Sequence, residues 1–176
     1  LLVTALLSSL ACGCMGVGHD DADVDAKVPG ESLGFYVVKG RLGQDTCGAE
    51  SLRAPSDWGF EVKLSRDGSA LYWLNGREAI VGEIDKGGKF GFETHLDLPL
   101  REKRGAAKGC TIVRRDSAEG LLAASGASFS AALSFGYEQT SSSDCSEWTA
   151  AAEVEGVPQA LPCRLEYSLE AERVSE

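Results

Sequence analysis

Between Ser128 and Tyr137 the chain alternates without interruption. Phe129, Ala131, Leu133, Phe135 and Tyr137 fall on one side, and Ser128, Ser130, Ala132, Ser134 and Gly136 on the other. A two-residue period is the pleat of a strand with one buried face; on a helix those five apolar side chains would scatter around the axis. The same period recurs. Trp58, Phe60, Val62 and Leu64 oppose Gly59, Glu61, Lys63 and Ser65; Phe90, Phe92, Thr94 and Leu96 oppose Lys89, Gly91, Glu93 and His95; Leu165, Tyr167 and Leu169 oppose Arg164, Glu166, Ser168 and Glu170. No stretch keeps a helical period between start and stop signals, so the pattern predicts an all-β protein.

Turn residues divide these runs. Arg66-Asp67-Gly68-Ser69 closes one hairpin, and Asp85-Lys86-Gly87-Gly88 another. Asn75-Gly76 predicts a two-residue type I′ turn, which requires positive φ at both central positions, with residues 77–85 as the return strand. A first strand over 33–42, a strand opened by Cys110 with Ile112 and Val113 that turns near Ser117–Gly120, and a last strand after Pro162-Cys163 bring the total to about eight. The expected fold is an antiparallel meander closed as an up-and-down barrel, with a two-sheet β-sandwich as the alternative. A membrane-spanning barrel alternates in the same way, but its strands need about 9–11 residues, and several runs here are nearer seven.

The ends of the chain read differently. LLVTALLSSL holds seven apolar residues and no charge, the length of a signal-peptide core and too short for a bilayer span. Residues 1–11 are therefore read as the apolar segment of a secretory signal whose basic start lies upstream. Ser9-Leu10-Ala11-Cys12 resembles the lipobox of bacterial lipoproteins; the alternative Ala11-Cys12-Gly13-Cys14 places the acylated cysteine two residues later. The resemblance implies cleavage before Cys12, lipidation of its thiol and membrane attachment through the lipid. With Gly13 following, it also implies sorting to the outer membrane. Residues 12–32, rich in Gly and Asp, read as an acidic tether, and 33–176 as a single β domain. Asp21, Asp23 and Asp25 start like a calcium loop, but Ala26 stands where the loop needs Gly and Ser32 where it needs Glu, so no metal is expected.

Cys47, Cys110, Cys145 and Cys163 form an even set in an exported chain, which predicts two disulfides. In a meander all four fall at one pole, the pole that also receives the long connections 43–57, 97–109 and 139–162. Cys145–Cys163 with Cys47–Cys110 is slightly favoured, because the first bond staples a single loop. Cys47–Cys163 with Cys110–Cys145 joins neighbouring strands of a closed barrel and stays open.

Charge and motif narrow the function. Lys plus Arg number 17 against 27 Asp plus Glu, a net charge of −10, which argues against a nucleic-acid partner. His95 lies on a polar strand face, no phosphate loop or nucleophile elbow occurs, and catalysis is not expected. No cofactor is implied. An eight-strand barrel can hold one small ligand, and Trp58, Phe60, Phe90, Phe92, Phe129, Phe135 and Tyr137 would line or fill its interior. Gly34-Phe35-Tyr36 on the first strand, a long first loop and short hairpins resemble the lipocalin layout, although the Trp that follows that family's first-strand Gly is missing. The resemblance implies a non-catalytic carrier of a small apolar ligand. The other reading is an interaction module with a filled core, whose long loops, with Ser146, Glu147 and Trp148, contact another envelope protein.

Overall fold

The computed structural model describes residues 28–48, 52–76, 78–150 and 156–175. Cys12, the lipobox and most of the acidic tether lie outside these residues. Eight strands follow in order: β1 (Glu31–Asp45), β2 (Asp57–Asp67), β3 (Ala70–Leu74), β4 (Ile80–Ile84), β5 (Lys89–Arg101), β6 (Cys110–Leu122), β7 (Ser128–Gln139) and β8 (Cys163–Ser175). Each pairs antiparallel with its sequence neighbours, and β8 returns to β1, so the sheet closes as a barrel rather than splitting into a sandwich. A short helix, α1 (Ser146–Ala150), which the sequence reading did not anticipate, sits in the last long connection.

The alternating faces sort as expected except at Leu96, which the sequence pattern places on the apolar face of its strand but which is exposed where, among the described residues, β5 lacks a partner beside β4. Tyr36, Val38, Val62, Leu64, Leu71, Phe90, Phe129, Leu165, Tyr167 and Leu169 point inward and are buried. Outward positions on β8 (Arg164, Ser168, Glu170, Glu172) and on β5 (Lys89, Glu93, His95) are exposed. Strand length does not separate this barrel from a membrane-spanning one, because β1, β5, β6 and β8 have 13 to 15 residues. Polarity does separate them. A membrane barrel carries its apolar band outside, whereas here the apolar face is the inner one, and Val81, Leu96, Leu121 and Val174 are the exposed large hydrophobics among the described residues.

The two poles differ as the sequence predicts. One is closed by the short connections 68–69, 85–88 and 123–127, and the other receives 46–56, 102–109 and 140–162. All four body cysteines lie at the second pole. The disulfides are Cys47–Cys163 and Cys110–Cys145, which corrects the favoured pairing. The reason is local. The ladder between β1 and β8 runs to Asp45↔Leu165, and the Thr46 N–H donates to the Arg164 carbonyl at 2.9 Å, so Cys47 faces Cys163 across the closing seam. Beside β6, Thr140 N–H donates to Thr111 O at 3.1 Å and Asp144 N–H to Gly109 O at 2.9 Å, which lays Cys145 against Cys110. Disulfides of this kind form in an oxidising, exported compartment.

Three further expectations change. β5 runs to Arg101, so its end is strand where a loop from residue 97 was expected. β6 passes through Ser117–Gly120 without turning and ends at Leu122. Asn75 and Gly76 do not take positive φ, and the register Trp73↔Ile80 leaves residues 74–79 between the last paired positions, so this is no two-residue turn.

That short hairpin shapes the barrel. β3 pairs with β2 only from Lys63 to Asp67, and β4 meets β5 only at Glu83↔Gly91 and Ile84↔Phe90. Among the described residues, the first half of β2 and the outer half of β5 therefore lack a partner on that side. The wall is notched between them, and the β3–β4 hairpin forms the sill.

Candidate functional site

The interior is solid at the tight-turn pole and hollow beneath the notch. Phe90 and Phe129 meet edge to face with centroids 5.7 Å apart, Tyr36 packs on Phe129 at 5.3 Å, and Trp73 stands across Phe129 and Phe92 at 5.6 Å from each. Edge-to-face pairs of this kind add to the gain from burial. Two glycines make the space. A Cβ at Gly120 would overlap the Phe90 ring and one at Gly82 the Phe92 ring, so both rings lie over bare backbone. The Tyr36 hydroxyl donates to the Gly126 carbonyl at 2.7 Å and fixes the 123–127 turn over this plug.

Above the plug lies a cavity of about 200 Å³. Trp58 and Phe60 of β2, Trp73 of β3, Phe92 of β5 and Leu133 and Phe135 of β7 form its apolar wall. Trp58 stacks on Phe60 at 4.6 Å and meets Tyr167 edge on at 5.9 Å, which holds the rim. Tyr167 donates in turn to the Pro55 carbonyl at 3.0 Å, tying the first long loop to the barrel.

Of the seven interior aromatics expected, Trp58, Phe60, Phe92 and Phe135 line this cavity. Phe90 and Phe129 belong to the plug, because the β5 and β7 positions nearest the tight turns lie where the barrel is filled. Tyr137 is buried opposite Arg114 in the β6–β7 ladder and lies outside the cavity lining. Trp73, Ile80, Arg114, Asp116 and Ala118 were not foreseen, whereas Thr94 and Leu133 stand on inward faces in the sequence pattern without being named as lining. Trp73 sits in a run that is apolar on both faces, so its direction was illegible. Arg114 and Asp116 carry charges that normally mark an outer face, yet counting by twos from Ile112 places both inside.

That inward pair is the polar feature of the site. Arg114 Nε and Nη2 donate to Asp116 Oδ1 and Oδ2 at 2.6 and 2.7 Å, a two-pronged bond with both side chains about one-third exposed. The guanidinium lies over the Phe135 ring, 4.8 Å from its centroid. Burial works against the Arg114 charge, but the hydrogen bond and charge of Asp116, with Tyr137, outweigh it and raise its pKa. Burial likewise raises the Tyr137 phenol, with Arg114 opposing and Asp116 adding to the shift.

The long-loop pole is stapled rather than open. Arg101 pairs with Glu147 of α1 and donates to the Lys108 carbonyl at 3.1 Å. Ser146 donates to Asp144 Oδ1 at 2.7 Å, and Ser146 together with its backbone lowers the Asp144 carboxyl pKa. Trp148 packs against the core. The three loop residues considered for partner contact are thus each engaged within the protein.

The class so defined is a closed eight-stranded up-and-down barrel with a side-opening cavity. Compared with known proteins, the chain matches no family model, no curated protein sequence and no solved structure.

Proposed function

We propose that the protein is an exported, lipid-anchored binding barrel that holds a small, largely apolar molecule in the cavity beneath its notch. The observation that carries this reading is the cavity itself: about 200 Å³ walled by Trp58, Phe60, Trp73, Phe92 and Phe135 in a barrel otherwise filled. An apolar cavity of about 150 Å³ accepts a benzene molecule, so this one suits a single ring with a short arm. Binding is favoured over catalysis because, among the described residues, the carboxylate in the wall, Asp116, is committed to Arg114.

The position of the chain start supports the anchored reading. Residues 28–30 enter β1 at the tight-turn pole, away from the long loops. A lipid on Cys12 would then attach that pole, through a tether spanning at most about 55 Å, and leave the long-loop pole facing away from the membrane. An outer-membrane destination follows from Gly13 after Cys12 in the lipobox resemblance.

Native mass spectrometry of the full chain from an oxidising compartment tests the binding function. A reproducible small-molecule adduct, lost on denaturation and absent from Phe135→Ala, is the expected result. A clean apo mass under conditions that preserve weak complexes overturns it. Metabolic labelling with a radioactive fatty acid tests the anchor, and Cys12→Ala should abolish incorporation.

A further inference from the structure

The wall of the cavity is mainly apolar, with Asn75, Thr94 and Ser117 as neutral polar groups, and its charged part is a neutralised ion pair rather than a free charge. Asp116 occupies Nε and Nη2 of Arg114, and among the described residues Nη1 has no hydrogen-bond partner. We infer that the cavity selects an uncharged, ring-bearing ligand whose polar end carries a hydrogen-bond acceptor, docked on Arg114 Nη1. The inference rests on the binding function proposed above and adds the chemistry of the ligand.

Electrostatics exclude the charged alternatives. An anion reaching Arg114 meets the Asp116 carboxylate, bonded to the same guanidinium at 2.6–2.7 Å. A cation attracted by the aromatic wall meets the positive guanidinium beside it, which already covers the Phe135 ring. A wholly apolar ligand leaves Nη1 without its water when it fills the mouth, and an unsatisfied donor beside a buried ligand weakens binding. A neutral carbonyl satisfies that donor without adding a charge. Position favours the same answer. Phe135 faces Asp116 in the β6–β7 ladder, so a ring seated on the apolar wall has its polar end within reach of the pair.

The test uses four molecules of one shape: benzamide, benzoate, benzylammonium and toluene. Each is titrated into the full, disulfide-bonded chain while the indole N–H signals of Trp58 and Trp73 are followed by NMR. The Trp148 signal serves as a reference, since it does not line the cavity. Benzamide should shift Trp58 and Trp73 at the lowest concentration, with the other three roughly tenfold weaker or more, the cost of an ill-matched hydrogen bond to a charged group. Asp116→Asn should move the preference to benzoate by freeing the Arg114 charge. If benzoate or benzylammonium binds best to the unaltered chain, the selection for an uncharged ligand is wrong. If toluene equals benzamide, the pair takes no part in recognition, although the cavity binds. If none of the four moves either indole, the binding function itself fails. The wild-type series decides by itself should Asp116→Asn fail to fold.

Discussion

At the tight-turn pole Tyr36, Phe90 and Phe129 interlock over Gly120, while at the notch Trp58, Phe60 and Phe135 stand around empty space. Both sets are inward aromatics on long strands, drawn from the same alternating pattern. What differs is the neighbourhood. The plug has a continuous wall and an inward glycine, Gly120, that admits the Phe90 ring, whereas the cavity faces a wall cut short where β3 and β4 have five residues each. Side-chain type alone does not decide whether a barrel is filled; strand length around the ring does. Packing is accordingly densest in the plug, and Trp58, Phe60 and Phe135 at the cavity are left only partly buried.

The contrast can be broken most strongly at the seam. Cys47–Cys163 closes 116 residues and Cys110–Cys145 closes 35. On the chain-entropy account, removing the first bond costs about 5 kcal/mol and the second about 4 kcal/mol. Denaturant unfolding of the two double-alanine variants should rank them in that order, and equal midpoints would show that the loops, not the closure, gain from the bonds.

Packing comes next. Phe129→Ala opens a hole in the plug and should cost about 3–5 kcal/mol, whereas Phe135→Ala, beside space already empty, should cost less than about 2 kcal/mol while removing ligand binding. Urea midpoints with a binding assay on both variants check this, and a Phe135→Ala as unstable as Phe129→Ala would mean that the cavity is part of the core. Gly120→Ala should cost about 1–3 kcal/mol by crowding the Phe90 ring and the Ser130 carbonyl of β7. A thermal melt would read that loss, and an unchanged melt would show that the plug has slack.

The smallest effect at neutral pH is expected from the phenols. Burial, the dominant cause, raises the pKa values of Tyr36 at the plug and of Tyr137 and Tyr167 nearer the notch above the ordinary 10.0. Each then keeps its proton in the folded state where the unfolded chain has released it. The native state binds more protons there, so the contribution is complete below about pH 10 and is lost as pH rises towards the folded values. Unfolding monitored together with tyrosinate absorbance should show the two rising in step above pH 10. Tyr36→Phe should shrink the alkaline loss while costing about 1 kcal/mol at pH 7 through the hydrogen bond to Gly126.

The barrel was legible in the sequence wherever a strand keeps an unbroken apolar and polar alternation. β7 and β8 alternate so cleanly that their inward residues could be named, and the grouping of the cysteines at one pole followed from counting strand ends. Legibility failed where the wall opens. Thr94, Arg114 and Asp116 point inward but touch the mouth, so they are polar, and the charged run of Asp97, Arg101, Glu102, Lys103 and Arg104 made the outer half of β5 read as loop. Pro99 is tolerated there because that edge lacks a strand partner across the notch. Ser117, Glu119 and Gly120 looked like a turn, yet Gly120 is small because a ring lies over it. α1, with five residues, is too short for a period to register.

Because β1 and β8 run antiparallel side by side, residues 30 and 175 leave the barrel at the same pole, and Cys47–Cys163 lies at the other. A load applied between those two ends acts on the seam as on a zipper. It opens the Phe35–Ser175 end first and meets the ladder bonds a few at a time, a geometry of low resistance. The disulfide is the stop at the end of that zipper. A pull that parts the whole β1–β8 seam still cannot draw the two strands away from each other at Cys47, and release of the load leaves their register held for the ladder to close again.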